Sequence, residues 1–163
     1  MIQNIAWFQK YKPTTIDEYV FPNEEFKSYV EKWLQYNTID GNVLLYGPAG
    51  TGKTALTNIL IHTFINDNND LKVVKDKSTA NIDKLHTWCV KEPIKSSKKI
   101  IYIEEIDRCH ANAFNSLKDG LMEKYQNHVT FVATTNFINL IPHAVQSRFS
   151  YKLNLKSLNE NHL

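Results

Sequence analysis

Arginine is scarce in this 163-residue chain, which carries most of its positive charge on lysine. Arg108 and Arg148 are the two arginines, and the formal net charge is only +2. A net charge so close to zero does not indicate that the protein binds nucleic acid through its overall charge. Because arginine is rare here, each of the two is a candidate for a specific contact.

Cysteine is equally rare, and Cys89 and Cys109 form neither a CxxC pair nor a zinc spacing. They predict a reduced, intracellular protein with two half-buried thiols. The six histidines form no HExxH motif. The start MIQNIAWFQKYKP lacks the apolar segment of a signal peptide. The apolar run Ile100–Ile103 is far shorter than the ~20 residues of a membrane helix. We therefore expect a soluble, cytoplasmic protein without a membrane partner.

Strand-like and helix-like segments alternate along the chain, and a hydrophobic content of 42% is enough for a buried core. Short apolar runs predict five strands, at residues 42–46, 71–75, 99–104, 129–136 and 151–155. Apolar residues at helical spacing predict helices that follow Asn23, span 54–65, end before Pro93, cover 114–125 and start at Pro142. Polar residues predict loops at 66–70 and 91–99. This order predicts one α/β domain, a mainly parallel five-stranded sheet with helices on both faces.

A glycine-rich segment, GPAGTGKT at residues 47–54, lies between a predicted strand and a predicted helix. It fits the phosphate-binding pattern G-x-x-x-x-G-K-[ST] in its usual context. Gly47, Gly50 and Gly52 allow a tight turn whose N–H groups surround an anion. Lys53 would contact the β- and γ-phosphates, and the hydroxyl of Thr54 would ligate Mg²⁺. A chance glycine turn is the alternative, and the matching flanks argue against it.

Two acids, Glu104 and Glu105, follow the third predicted strand. Right-handed crossovers bring the ends of parallel strands to one edge of the sheet, where ligands bind. Successive strand residues point in opposite directions, so the two acids can have different roles. Glu104 would face the Mg²⁺ ion and Glu105 would polarise the attacking water. A solvated acidic turn is the weaker alternative.

Asn136 and Arg148 are two further candidate site residues, and each lies beside a predicted strand. Asn136 ends the fourth predicted strand, where its amide could hold a water molecule or the γ-phosphate. The alternative is that this asparagine stabilises a turn, which is the common reason for Asn at the end of a strand. Arg148 precedes the last strand and suits a bidentate phosphate contact, with a surface ion pair as the alternative.

Several motifs together resemble one family. The segments WFQKYKP and TIDEYVFP resemble the opening of clamp-loader ATPase subunits, and the later motifs resemble Walker A, Walker B, sensor 1 and SRC-type sequences in the same order: GPAGTGKT, IIYIEEIDR, ATTN and QSRF. The chain is similar to replication factor C small subunits, and most similar to the clamp-loader large subunit of T-even-type bacteriophages. The lysine-, asparagine- and isoleucine-rich composition suits an AT-rich viral gene, which would place the protein in the host cytoplasm.

The resemblance implies a three-layer P-loop NTPase fold of the AAA+ class, with residues 1–163 forming the ATPase base domain and 1–22 its adenine-side segment. It implies that the adenine and ribose are bordered by Phe8, Gln9, Lys10, Tyr11 and Val20. It implies that the phosphates are wrapped by Gly50, Thr51, Gly52, Lys53, Thr54 and Ala55, with Gly47 opening the loop. We expect neither the helical lid nor the collar of the family within this sequence.

The resemblance also implies a Mg²⁺-dependent ATPase that opens a sliding clamp and loads it on primer–template DNA. Glu104 takes the place of the Mg²⁺-associated acid, where Asp is usual, and Glu105 that of the catalytic glutamate. Asn136 would be sensor 1, and Arg148 an arginine finger that reaches the ATP of a neighbouring subunit. The partners would be other clamp-loader subunits, the clamp and DNA, and hydrolysis would be slow in the isolated chain.

Two other hypotheses stay open. The first is an AAA+ scaffold or fragment that binds ATP with little turnover, which the Glu104 substitution favours. The second is another AAA+ replication protein, such as a helicase loader. A lysine-rich stretch could meet DNA, although a solvated loop is the favoured interpretation; it contains Lys91, Lys95, Lys98 and Lys99.

Overall fold

Short apolar segments form the strands, and the computed structural model describes residues 13–156. The strands are β1 (Val43–Tyr46), β2 (Leu71–Val74), β3 (Lys99–Ile103), β4 (Val129–Thr135) and β5 (Tyr151–Asn154). The α-helices are α1 (Glu24–Tyr36), α2 (Lys53–Phe64), α3 (Thr79–Cys89), α4 (Ala111–Asn115) and α5 (His143–Gln146). Single 3₁₀ turns occupy Asn68–Asp70, Ile106–Arg108 and Ile138–Leu140. All five predicted strands are confirmed, with ends that differ by at most one residue.

Helix α1 shows why the predicted starting point was correct. Asn23 has an extended backbone, and its Oδ1 accepts the N–H of Phe26 at 2.8 Å. Glu24 and Glu25 add negative charge to the first turn, where the helix dipole favours it. The helix ends at Asn37, which adopts a left-handed backbone with φ 52°.

The strands form one sheet in the order β2-β3-β4-β1-β5, and every neighbouring pair is parallel. This confirms the predicted sheet. The carboxyl ends of β1, β3 and β4 are adjacent, since Tyr46 pairs with Thr135 and Ile103 pairs with Ala133. The segments that follow these strands therefore meet at one edge.

Helices cover both faces of the sheet, and the central strands β3 and β4 are buried along their whole length. Leu45 and Val132 face α1 and α2, where they pack in one cluster with Trp33. Ile101 and Phe131 face the other way, toward α3 and the segment after α4. Within the described residues, none of the helices has the length and hydrophobicity of a membrane span.

The helix predicted over residues 114–125 is not a continuous α-helix. Helix α4 ends at Asn115, and Ser116–Met122 continue as a π-helix. Gly120 lies against α3, because a Cβ placed there would be 3.0 Å from Nε2 of His86. Glycine weakens an α-helix and leaves room for α3, and the wider π turn still buries Leu117 and Leu121 completely.

The polar segment 66–70, predicted as a loop, ends in a buried carboxylate. Asp70 is fully buried and accepts N–H groups from Ile94 at 2.7 Å, Lys95 at 3.0 Å and Ser96 at 2.9 Å. Burial alone would raise the pKa of Asp70, but the three N–H donors bring it below its usual value. Asp70 therefore ties the second predicted loop to β2.

Both thiols are more buried than predicted, with 0% of Cys89 and 7% of Cys109 exposed. Burial raises the pKa of each to about 11, so the thiols stay protonated at neutral pH. Cys89 closes α3 and Cys109 follows the 3₁₀ turn after β3, where each packs into the same apolar cluster. The structure gives them the role of small core residues.

Candidate nucleotide-binding site

The glycine-rich loop joins β1 to α2 and has the backbone that only glycine adopts readily. Gly47, Gly50 and Gly52 have φ values of 144°, 77° and 89°. A Cβ at Gly47 would lie 2.2 Å from the carbonyl oxygen of Leu155, so a larger residue cannot be accommodated without movement. Gly52 caps α2, and no side chain in residues 13–156 hydrogen-bonds that helix start as a cap. The first-turn N–H groups of α2 therefore form an anion site of the expected kind.

Lys53 begins α2 with its ammonium group folded into the same loop. Only 8% of the residue is exposed, and its Nζ donates to the carbonyl oxygens of Gly47 at 2.8 Å and Pro48 at 2.7 Å. The Oγ1 of Thr51 lies 3.4 Å from the same nitrogen. Burial lowers the pKa of Lys53. The loop thus encloses a positive charge beside the uncapped helix start.

The two acids after β3 lie next to the loop. Glu105 has a left-handed backbone with φ 51°, which costs a residue with a side chain about 1–3 kcal/mol. Its N–H donates to Oγ1 of Thr134 at 3.3 Å, and its carboxylate lies 3.3 Å from Nε of Arg108. Glu104 is exposed. The strained turn redirects the chain so that both acids border one cleft.

Two threonines at the end of β4 complete this edge, and sequence reasoning missed them. Thr134 and Thr135 are buried, with 3% and 1% exposed. The Thr135 hydroxyl donates to Oδ1 of Asp107 at 2.5 Å and accepts the N–H of Phe137 at 2.9 Å. These bonds fix the turn that carries Asn136. The signal in the sequence was a pair of adjacent hydroxyl residues at the end of a buried, mainly apolar strand.

These elements surround a cleft of about 380 Å³. It is lined by Ala49, Gly50, Gly52, Lys53, Thr54, Ala55, Glu104, Glu105, Thr134, Thr135 and Asn136. The structure therefore brings together the predicted phosphate loop, both acids and the predicted amide. Gly47 and Thr51 belong to the same loop without lining the cleft.

The donor set of the cleft fits magnesium nucleotide. Mg²⁺ prefers oxygen ligands and is usually held by one or two protein side chains together with phosphates. Thr54 and Glu104 contribute a hydroxyl and a carboxylate to the lining of the cleft. Residues 13–156 contain no cluster of three or more His, Cys, Asp or Glu side chains that would hold a metal by themselves. Water and phosphate oxygens are the other ligands that Mg²⁺ commonly takes.

Arg148 lies at the opposite edge of the sheet. Its carbonyl oxygen accepts Nδ2 of Asn42 at 3.0 Å, and Asn42 immediately precedes β1. Its Nη2 lies 3.2 Å from Oε2 of Glu123, while its Nε is buried without a hydrogen-bond partner in the described part of the chain. It borders a second cleft, of about 500 Å³, with Glu123 and Lys98. Arg148 thus does not reach the nucleotide cleft of its own chain.

The predicted adenine side is only partly covered by the structure. Val20 is 73% exposed and is not among the residues that line the cleft. The other residues predicted there lie outside the described residues: Phe8, Gln9, Lys10 and Tyr11.

The sequence favours a solvated loop for the lysine-rich stretch 91–99, but two of its lysines are held by the protein itself, and Lys99 already belongs to β3. Lys99 is 2% exposed, and its Nζ donates to the carbonyl oxygen of Trp88 at 2.6 Å and lies 4.1 Å from the centre of the Trp88 ring. The Nζ of Lys98 donates to the carbonyl oxygen of Gln126 at 3.0 Å. The Lys99 ammonium group is therefore enclosed by the protein, whereas Lys98 is only partly buried.

A family model described as the "ATPase family associated with various cellular activities (AAA)" matches residues 43–157. The match begins at β1, includes the phosphate loop and the acids after β3, and ends beyond β5. The chain belongs to the AAA family of ATPases. The residues that line the cleft described above all lie within the matched region.

Relatives of this AAA chain occur among replication factor C subunits. It is 31% identical over 156 residues to replication factor C subunit 3 of Schizosaccharomyces pombe, covering 88% of this chain and 43% of that protein. It is 28% identical over 154 residues to replication factor C small subunit 2 of Pyrobaculum islandicum, covering 90% of this chain and 47% of that protein. The chain spans less than half the length of these relatives.

The AAA fold is also seen in a solved structure. A variant of RuvB from Thermotoga maritima matches with a TM-score of 0.68 and 23% identity, covering 89% of this chain and 48% of that one. This similarity concerns the fold alone. It confirms the predicted P-loop NTPase architecture, in which helices flank a five-stranded parallel sheet.

Proposed function

We propose that this AAA domain binds Mg²⁺ and ATP and hydrolyses the nucleotide as a subunit of a sliding-clamp loader. The observation that carries the proposal is the single cleft that joins the phosphate loop, two acids and an amide. Similarity to replication factor C subunits supports the clamp-loader role. The energy of ATP would serve to open a clamp and load it on primer–template DNA.

The phosphate loop would bind the triphosphate. N–H groups of Gly50 to Ala55 would surround the phosphates, and the Lys53 ammonium would leave the loop carbonyls for the β- and γ-phosphate oxygens. Thr54 and Glu104 would hold Mg²⁺, which when bound neutralises charge between the β- and γ-phosphates. The side chain of Glu104 is one methylene group longer than that of Asp, so its carboxylate could reach the ion from a backbone position slightly farther away.

Glu105 would act on the attacking water. Its carboxylate would accept a hydrogen bond from that water and draw off its proton as the γ-phosphate is attacked. Asn136 would hold the water or the γ-phosphate, with its turn fixed by the Thr135–Asp107 bond. The strained backbone of Glu105 is typical of a functional position.

Arg148 would act as an arginine finger on the nucleotide of a neighbouring subunit. Its position at the opposite edge of the sheet from its own cleft supports action in trans. Hydrolysis would then depend on assembly with other clamp-loader subunits, and the isolated chain would turn ATP over slowly. The adenine-side role of Val20 and residues 8–11, and an origin in a T-even-type bacteriophage, belong to the same proposal.

A second candidate is a nucleotide-binding scaffold with little turnover. The observation that favours it is the contact between the Glu105 carboxylate and Nε of Arg108, because a paired carboxylate is less available to a water. In that case Glu105 would hold its turn together and ATP would serve assembly alone.

Changing Glu105 to Gln separates the two candidates. In the assembled complex with clamp and primed DNA, we expect Glu105→Gln to bind ATP normally and to lose at least about 10²-fold in hydrolysis, because a general base of this kind contributes ~10²–10⁴. The matched control is Glu92→Gln, which neutralises an exposed acid far from the cleft. Unchanged turnover in Glu105→Gln would exclude the proposed role and leave the scaffold.

A further inference from the structure

Tyr102 lies on β3 directly below the proposed cation site. Glu104 comes two residues later, directly after the end of β3, and strand alternation continued by one residue would place it on the same side. Tyr102 pairs with Val132 of β4, so Thr134 follows on the neighbouring strand at the level of Glu104. This side of the sheet faces α1 and α2, and Tyr102 is 5% exposed.

The hydroxyl of this tyrosine has no hydrogen-bond partner in the described part of the chain. Buried phenol groups usually find a partner, because leaving one without costs free energy. Burial raises the pKa of Tyr102 and the Glu104 carboxylate adds to the rise, while the hydroxyls of Thr134, Thr54 and Thr57 oppose it. The unpartnered hydroxyl therefore lies among the polar groups that support the cation site.

Of the neighbouring hydroxyls, Thr57 already donates its proton, whereas Thr134 acts as an acceptor and keeps its own proton. Thr57 donates to the carbonyl oxygen of Lys53 at 3.0 Å, and Thr134 accepts the N–H of Glu105 at 3.3 Å. The hydroxyl of Thr54 would have to turn a lone pair toward Mg²⁺ and its proton away from it. A phenol oxygen can accept that proton and still donate its own to a carboxylate.

We propose that Tyr102 is a positioning residue of the cation site, whose hydroxyl accepts from Thr54 and donates to Glu104. The inference rests on the proposed function and deepens it. A hydrogen bond from Tyr102 orients the long side chain of Glu104, which has one more rotatable bond than Asp. It also sets the direction of the Thr54 lone pair. The hydroxyl left without a partner by the fold gains two partners when the cation site is formed.

The test compares Tyr102→Phe with Tyr125→Phe. Tyr125 is equally buried, at 5% exposed, but its hydroxyl lies 3.3 Å from Nδ1 of His86, far from the cleft. Binding of a fluorescent ATP analogue is titrated in EDTA and at increasing Mg²⁺, and melting is followed without nucleotide. For Tyr102→Phe, we expect the nucleotide affinity in EDTA to stay within about twofold of that of the parent chain. The Mg²⁺ concentration that gives half-saturation should rise about tenfold, because the hydrogen bond from Tyr102 to the charged Glu104 carboxylate is lost. Tyr125→Phe should leave the Mg²⁺ dependence unchanged.

Melting gives a second readout that a purely structural role would not produce. Removing a hydroxyl without a partner should leave the melting temperature of Tyr102→Phe equal to or above that of the parent, whereas Tyr125→Phe should melt lower. In a Glu104→Asp background, whose shorter side chain needs less orientation, the Tyr102→Phe effect on Mg²⁺ should shrink to below about threefold.

The outcomes separate the inference from the proposed function. If the parent chain binds no nucleotide at any Mg²⁺ concentration, both are overturned. If the parent binds with the expected Mg²⁺ dependence and Tyr102→Phe behaves like it, only the role of Tyr102 is overturned. Equal losses with and without Mg²⁺, or a lowered melting temperature, would make Tyr102 a packing residue and would also overturn the inference.

Discussion

The two edges of the parallel sheet carry polar clefts that are built in different ways. At the carboxyl edge, a cleft of about 380 Å³ contains glycines in left-handed conformations, a strained Glu105 and a buried lysine. At the amino edge, a cleft of about 500 Å³ contains side chains that pair with one another, such as Arg148 with Glu123. The comparison teaches that glycine turns and backbone strain shape one edge, whereas pairing between charged side chains shapes the other.

Arg148→Ala gives the largest expected effect and tests the amino edge. Arginine fingers contribute about 10³–10⁵ in rate, so we expect stimulated hydrolysis in the assembled complex to fall by at least ~10³-fold. Nucleotide affinity of the isolated chain should stay within about twofold, since Arg148 lies away from its own cleft. The measurement is turnover with partner subunits beside a nucleotide titration of the single chain.

Lys98→Ala is the matched control, because it removes a positive charge from the same cleft without removing the arginine. An equal loss of activity by Arg148→Ala in the isolated chain would contradict action in trans.

Lys53→Met tests the carboxyl edge and should weaken nucleotide binding in the isolated chain by about 10²-fold. The physical reason is the loss of charge-assisted hydrogen bonds to phosphate, each worth ~1.5–3 kcal/mol. A calorimetric or fluorescence titration measures the change. The nucleotide-free protein should not lose stability, because burial disfavours the lysine's charge.

Lys72→Met, which removes an exposed lysine on β2, controls for the change of net charge. Affinity that is preserved in Lys53→Met would mean that the loop binds something other than phosphate.

Glu123→Gln gives the smallest expected effect and sharpens the comparison. The Glu123 and Arg148 side chains are 59% and 37% exposed, and pairs of this kind contribute at most ~1 kcal/mol. We expect the free energy of unfolding to change by no more than about 1 kcal/mol. Stimulated hydrolysis should rise by less than about fivefold, because the arginine is released from its ion pair. A strong loss of turnover would show that Glu123 positions the finger instead of restraining it.

The phosphate loop, the strands and the meeting of Glu104, Glu105 and Asn136 could be predicted from the sequence. The reason is physical: parallel strands joined by right-handed crossovers bring their carboxyl ends to one edge, so residues far apart in sequence become neighbours. The loop itself needs glycines at fixed spacing, which makes it recognisable without a structure.

The features that could not be predicted depend on contacts between distant segments. Asp70 is buried because three N–H groups more than twenty residues away point at it. The π-helix forms where Gly120 meets His86 of another helix. The bond from Thr135 to Asp107 also joins β4 to the 3₁₀ turn after β3, and a polar residue gives no sign in the sequence of which partner it will find.

The contact between Gly47 and Leu155 links the phosphate loop to the segment that follows the edge strand β5. The N–H of Leu155 donates to the carbonyl oxygen of Tyr46 at 2.8 Å, one residue before the loop begins. Because Gly47 has no side chain, its backbone can lie against the carbonyl group of Leu155, the residue that follows β5. A shift of the Leu155 carbonyl group toward the loop would therefore meet the backbone of Gly47 directly.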